Sequence, residues 1–162
     1  MTIIEKIISF LRESENISIG FNEMNFISAD NFDEGQIGYS IDPDGNSLTT
    51  GQPGSWKEGW IVIGNDNLGD PIFVDCSDTY LPVYSSQHGQ DEWDATLIAN
   101  SLDSFKSILE YLKELSFGRE SPNEIEENPI PQSDLKDFFN TVKRNNDDIE
   151  IWWWETFLEN DV

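Results

Sequence analysis

Residues 59–75, GWIVIGNDNLGDPIFVD, limit the possible folds more than any other stretch of the chain. Two short apolar runs, 60–63 and 72–74, flank a segment holding Gly64, Asn65, Asp66, Asn67, Gly69, Asp70 and Pro71, the composition of two strands joined by a turn. Ile61, Val62, Ile63, Ile72 and Val74 suit a pleated surface, and runs without a polar interruption predict a hairpin covered on both faces. Gly64 and Gly69, free to take positive φ, are the expected corners. The turn displays two carboxylates, Asp66 and Asp70, with no basic residue near them in sequence. No catalytic signature accompanies them, so function has to be argued from acidity.

Charge is the second constraint. The 162 residues hold 32 acidic side chains against 9 basic ones, a net charge of −23. Residues 13–105 alone hold 17 acidic side chains and one basic one, Lys57, which places −16 in that segment. So one-sided a charge can be explained by solubility or a salt-adapted proteome alone, yet the field costs stability through self-repulsion. It repels nucleic acid and anionic membranes and draws basic proteins inward. Direct binding of DNA or RNA is therefore disfavoured, and a basic partner fits. The length suits one domain, and 37% hydrophobic residues are enough for its core. Cys76 is the only cysteine, which rules out an intramolecular disulfide and fits a reducing cytoplasm. Glu5 and Lys6 interrupt the apolar start that a signal peptide would need, and no apolar run nears the ~20 residues a bilayer requires. A cytoplasmic protein with no membrane partner is the expectation.

Along the chain, residues 2–13 read as an amphipathic helix with Ile3, Ile4, Ile7, Ile8 and Leu11 on one face and a Thr2/Glu5 capping box. Ile17, Ile19 and Phe21 alternate like a strand, and the rest of 14–35 reads as loop with a short helical turn. The strand pattern resumes over 36–41, and Asp42 to Asn46, DPDGN, is a turn. Asp42, Asp44 and Asn46 have calcium-loop spacing, yet Ser47 replaces the required Gly and Pro53 the required Glu, so no metal site is assigned. A third run, 80–84, should pair with the hairpin, with Pro82 marking an edge or a bulge. His88 lies in a polar loop, and with Cys76 it matches no thiol-nucleophile signature.

The clearest helix spans 101–116, with Leu102, Phe105, Ile108, Leu109, Leu112 and Leu115 in one stripe, Ser101 as N-cap and Gly118 beyond its end. Residues 119–132 read as an acidic, proline-containing linker, and Leu135, Phe138, Phe139 and Val142 mark a helix starting near Ser133. In the final block, helical spacing puts Ile149, Trp152, Trp153, Thr156 and Phe157 on one side and leaves at least one of three successive tryptophans pointing away. Core packing and an aromatic platform for a partner or sugar both suit it.

Several of these features occur in a set order. After the N-terminal amphipathic helix, Trp60 opens a strand ending in Gly64, and Gly69 and Asp70 follow in the turn. A strand then closes over 73–75, Pro82, Val83 and Tyr84 come next, and the helix with Ser101, Leu102, Phe105 and Leu109 ends the series. In this order the chain resembles the SUKH superfamily, which includes fungal cell-wall assembly regulators of the Smi/Knr type and many small bacterial immunity proteins. The resemblance covers roughly residues 1–116. It departs from the pattern at 20–35, which lacks the usual Leu-Pro pair and the Asn-Gly turn after it, and at 119–162, which has no counterpart.

The resemblance implies an α+β fold: an antiparallel β-sheet packed by helices, here a SUKH-like domain over 1–118 with a C-terminal helical extension, 119–162, packing on it. It also implies a non-enzymatic role without catalytic residues or cofactors, similar to antidotes that bind and block a cognate toxin, often a nuclease. Nuclease toxins expose Lys and Arg to hold phosphates, so an acidic protein can occupy that surface, and electrostatic steering speeds its arrival. The expected contacts are Asp66, Asp70, Asp75, Asp78, Asp91, Glu92 and Asp94, with Trp56 and Trp93 as desolvated anchors. The alternative is a regulatory scaffold in cell-wall synthesis or signalling, using 119–162 as an extended tail. A carboxylate-pair hydrolase is a third possibility, but acidic pairs abound here by composition alone and have little diagnostic value.

Overall fold

The structure is a computed structural model and describes residues 1–159. Six strands form one antiparallel meander in the order β1 (Ile17–Ile19), β2 (Asn22–Phe26), β3 (Trp60–Asp66), β4 (Pro71–Asp75), β5 (Val83–Ser85) and β6 (Thr96–Ala99). The helices are α1 (Ile3–Glu13), α2 (Leu102–Ser116), α3 (Pro122–Glu127), α4 (Gln132–Asn145) and α5 (Ile151–Glu159). This is an α+β fold with an antiparallel sheet and helices that include a C-terminal set.

The hairpin at 59–75 forms as β3 and β4. Both faces are covered, by different means. Ile63, Ile72, Val74, Val83 and Ile98 join α1, α2, α4 and α5 in the main core, while Trp60, Val62 and Phe73 point the other way. That outer face is closed by aromatic side chains from loops: Trp56 and Tyr39 from the long β2–β3 connection and Trp93 from the β5–β6 loop. Trp56 sits at the centre, with ring centroids 4.7 Å from Phe73 and 5.2 Å from both Trp60 and Trp93.

Gly69 takes φ 84° and turns the hairpin, whereas Gly64 is not a corner. It lies within β3, where the register with β4 shifts between Val62 and Gly64. A Cβ there would stand 2.3 Å from the carbonyl oxygen of Asn25, so close backbone approach from β2 is what demands glycine. Beyond Ile27, which donates its N–H to the Ile63 carbonyl, the β3 edge is completed by a side chain. The buried amide of Gln36 donates from Nε2 to the Val62 carbonyl at 2.9 Å and accepts from the Val62 N–H at 2.9 Å. Residues 36–41 are accordingly not a strand; they hold only isolated bridges.

Other expectations are corrected in the same way. Residues 22–26 form a strand despite their polar sequence, because Asn22 and Met24 turn inward while Phe21, at the tip before them, is exposed. β5 is not an edge, since β4 and β6 pair with it on either side; the other expectation for Pro82, a bulge, is met by the register shift between Val83 and Tyr84 just after it, and the Pro82 carbonyl accepts from the Asp75 N–H. β6 itself gave no strand signal. In α1 the capping box is present, but Ile4 faces solvent and Phe10 takes its place in the core. Residues 119–132 contain α3, capped by Ser121 with Pro122 in the first turn. In α5 the inward residues are Trp153, Trp154, Phe157 and Leu158, so the stripe is rotated from the expected one by about 100°, one residue of helix. Trp152 is the tryptophan left outside, at 52% exposure.

The C-terminal helices cover the outer edge of β6. Glu150 donates its N–H to the Leu97 carbonyl at 2.9 Å, Trp154 donates from Nε1 to the Ile98 carbonyl at 2.9 Å, and the Asn146 Oδ1 accepts from the Asn100 N–H at 2.7 Å. An open strand edge, the usual site of unwanted pairing, is thereby closed within the chain. At the far side of the curled sheet, Asn22 donates to the Phe157 carbonyl at 2.6 Å. α5 thus bridges β6 and the β1–β2 turn.

Candidate functional site

Strand direction divides the expected contact residues into separate groups. Asp66 and Asp70 stand at the β3–β4 turn, and Asp91, Glu92, Trp93 and Asp94 lie in the β5–β6 loop that leaves the same end of the sheet. Asp75 and Asp78 follow β4 at the opposite end, about 16 Å away at ~3.3 Å per strand residue. Trp56 is 2% exposed, with its Nε1 donating to the Trp60 carbonyl at 3.0 Å, so it is a core residue and not a surface anchor. Trp93 is half-buried against it, its N–H donating to the Gly54 carbonyl at 2.7 Å, and only its outer side meets solvent.

The turn carboxylates are held by their own backbone. Asp66 Oδ1 accepts from the N–H groups of Leu68 and Asp70 at 2.9 and 3.0 Å, Asp75 from Ser77 at 2.9 Å and Asp78 from Tyr80 at 2.9 Å. These are Asx turns, which spend one oxygen of each carboxylate on its own backbone. Asp70 Oδ1 accepts from the N–H of His88 at 3.0 Å and contacts its Nδ1 at 2.6 Å, tying the β3–β4 turn to the β5–β6 loop. Asp42 uses both oxygens on its own turn, which holds its carboxyl below the usual range chiefly through the Asn46 N–H.

Between the β3–β4 turn and α5 lies a cleft of about 130 Å³. Asp66, Asp70 and Leu68 form one wall and Trp152 and Trp153 the other, with Ser85 and Asn22 on the floor. The acidic turn and the tryptophan block are 82 residues apart if measured from Asp70 to Trp152, yet they meet here. Leu68, Trp152, Ser85 and Asn22 escaped sequence reasoning. Only Trp152 gave a signal, as one of three tryptophans that could not all face inward. Leu68 and Trp152 are exposed large apolar side chains flanking the two carboxylates, at 65% and 52%.

Burial is the main cause that pushes the Asp66 carboxyl above its ordinary value, with the Asp70 charge adding to it and the two backbone N–H groups opposing. A raised folded-state pKa means that ionisation opposes folding: the contribution to stability is present below the unfolded value and lost as pH rises through the folded one. Asp66→Asn, which keeps an Oδ1 for the same two N–H groups, is therefore expected to raise Tm at pH 7. The gain should shrink as pH is lowered through the carboxylate range. A Tm difference that does not change with pH would show that the Asp66 charge is unstrained.

Cys76 and His88 are not brought together. Burial, with help from Asp75, pushes the Cys76 thiol up to about 11, and the strands hold it at the opposite end from His88. Among the described residues no cluster of three or more His, Cys, Asp or Glu side chains could hold a metal ion, and no helix is long and apolar enough to cross a membrane.

The order of elements from α1 through β3 and β4 to α2 fits a known family model, the SMI1 / KNR4 family (SUKH-1), which matches residues 2–107. The chain belongs to that family. Comparisons with curated proteins and with solved structures gave no match. The SUKH-1 match ends inside α2, so the SUKH-1 model spans the whole sheet but neither α4 nor α5. One wall of the cleft, Asp66 to Asp70, therefore lies in the shared part, and the other, Trp152 and Trp153, outside it. SUKH proteins include both immunity proteins and Smi/Knr members.

Proposed function

We propose that this SUKH-1 protein is an immunity protein that binds a cognate basic toxin domain, a nuclease, and neutralises it by occluding its phosphate-binding cations. The observation that carries this reading is the segregation of charge in the fold. The loops that join the strands carry exposed Asp78, Asp91, Glu92 and Asp94 with Lys57 as their one cation, and Lys57 lies over the Trp60 ring at 5.5 Å. The other cations stand on or beside helices, where Lys106 pairs with Glu13 at 2.7 Å, Lys113 with Glu15, and Arg119 donates to the Asn128 and Leu115 carbonyls. Asx turns fix several carboxylates in place, so little side-chain ordering is left to oppose association. The SUKH family is generally non-enzymatic, which suits a binder. The feature on which a scaffold role would rest, an extended tail, is replaced by helices packed on the core.

The test immobilises the protein and passes the producing organism's lysate over it. The expected result is one strongly basic protein, retained at low salt and released at high salt, whose nuclease activity the pure protein abolishes at equal molarity. Reversing Asp91, Glu92 and Asp94 together to Lys is expected to slow association about tenfold at low salt, since charges at the rim act on the encounter rate. A captured protein without nuclease activity, or an association rate that ignores salt, would sink the proposal.

A further inference from the structure

The cleft between the β3–β4 turn and α5 has a one-sided hydrogen-bonding character. Asp66 and Asp70 each spend Oδ1 on neighbouring N–H groups, and neither Oδ2 has a partner among the described residues. Asn22 donates from Nδ2 to the Phe157 carbonyl, which leaves its Oδ1 an acceptor with no partner among the described residues, in a residue only 8% exposed. The hydroxyl of Ser85, a residue 3% exposed, lines the same space and makes no hydrogen bond with the described residues. The two nearly buried side chains that line the cleft, Asn22 and Ser85, thus each keep an oxygen that can accept and that solvent still reaches, and the Ser85 hydroxyl can donate as well. Such a lining suits a ligand rich in donors.

The walls narrow the choice. Two carboxylates require a cation, and the indole of Trp152 at the rim, with Trp153 beside it, supplies a π-face for one. The cleft is open on one side, so a side chain presented by a partner can enter it. Arginine presents five donors in a flat fork and stacks on aromatic rings, whereas the compact lysine ammonium does neither. We propose that this cleft receives an arginine side chain of a basic protein partner, its guanidinium donating to Asp66, Asp70 and Ser85 and lying against Trp152. The proposal rests on the immunity reading for the identity of that partner, but the cleft can be tested without it.

N-acetyl-L-arginine amide is titrated into the ¹⁵N-labelled full-length protein at constant ionic strength, with the matching lysine and citrulline amides as parallel arms. Saturable shifts are expected at the Trp152 indole N–H and at the Leu68 and Asp70 amides with arginine, weaker ones with lysine, and none with neutral citrulline. Asp66→Asn and Trp152→Ala should each weaken arginine binding about tenfold. The second variant alters an exposed side chain and keeps the test valid if the first perturbs the turn. Shifts that do not saturate and scatter over the acidic surface, an equal response to citrulline, or unchanged binding by Trp152→Ala would overturn the proposal. Saturable arginine binding by a protein that retains no nuclease would defeat the immunity reading alone. A retained nuclease whose affinity is unmoved by Trp152→Ala would defeat the cleft alone.

Discussion

A chain ending at Gly118 is expected not to fold cooperatively, although it contains the whole SUKH-1 match. Without α4 and α5, β6 loses the hydrogen bonds from Glu150 and Trp154 to its edge carbonyls and the Asn146 acceptor for the Asn100 N–H. Phe138 and Trp154, both fully buried, leave the main core, and with them goes the cover over Phe105, whose ring lies 6.3 Å from that of Trp154. Losing even one aromatic side chain of this size costs about 3–5 kcal/mol, against a total of about 5–15 kcal/mol for a domain. The shortened chain should show no sigmoidal melt by circular dichroism, bind hydrophobic dyes and aggregate through the uncovered strand edge. A cooperative transition within a few degrees of the full-length protein would mean that the C-terminal helices are an accessory. The same result bears on function: deletion of 119–162 reports on stability before it can report on partner choice.

Trp56→Ala is expected to destabilise the protein by about 3–5 kcal/mol, the usual range for removing a buried large aromatic. The side chain is 2% exposed and fills the space between Tyr39, Trp60, Phe73 and Trp93 on the outer face of the sheet. Its Nε1 also supplies the hydrogen bond to the Trp60 carbonyl, and an unsatisfied buried acceptor adds to the loss. Trp56→Phe, which keeps a ring but not the donor, should cost less. Trp152→Ala, at an exposed position, should stay within about 0.5 kcal/mol of the parent. Equilibrium urea unfolding of the three variants gives the ranking. A loss below about 1 kcal/mol for Trp56→Ala would show that the loops over the outer face are not a second core. Trp56 would then be available as a surface anchor after all.

Both results turn on where a tryptophan ends up, which is where sequence and structure part. Some features follow from a few neighbouring residues: the Thr2/Glu5 capping box, the Ser101 cap and apolar stripe of α2, and the Gly69 turn between β3 and β4. These were legible because side chains three or four positions apart meet whatever the rest of the chain does. Gly64 was marked as special for the wrong reason, since its neighbour Asn25 comes from another strand. β2 and β6 were not legible: a polar run such as Asn22–Phe26 becomes a strand only because partners on both sides take its hydrogen bonds. Gln36 was invisible for the same reason, as its role is to complete the β3 edge 26 residues away.

The sequence by itself determined the charge, as well as the α+β class and the family. Those properties are sums over residues or short local patterns, and they survive ignorance of what touches what. Only the tertiary structure decided which aromatics are core and which are surface, that Asp75 and Asp78 face away from Asp66 and Asp70, and that the acidic turn shares a cleft with Trp152. Burial and hydrogen-bond pairing depend on neighbours brought together by sheet order and helix packing, and spacing along the chain does not encode them.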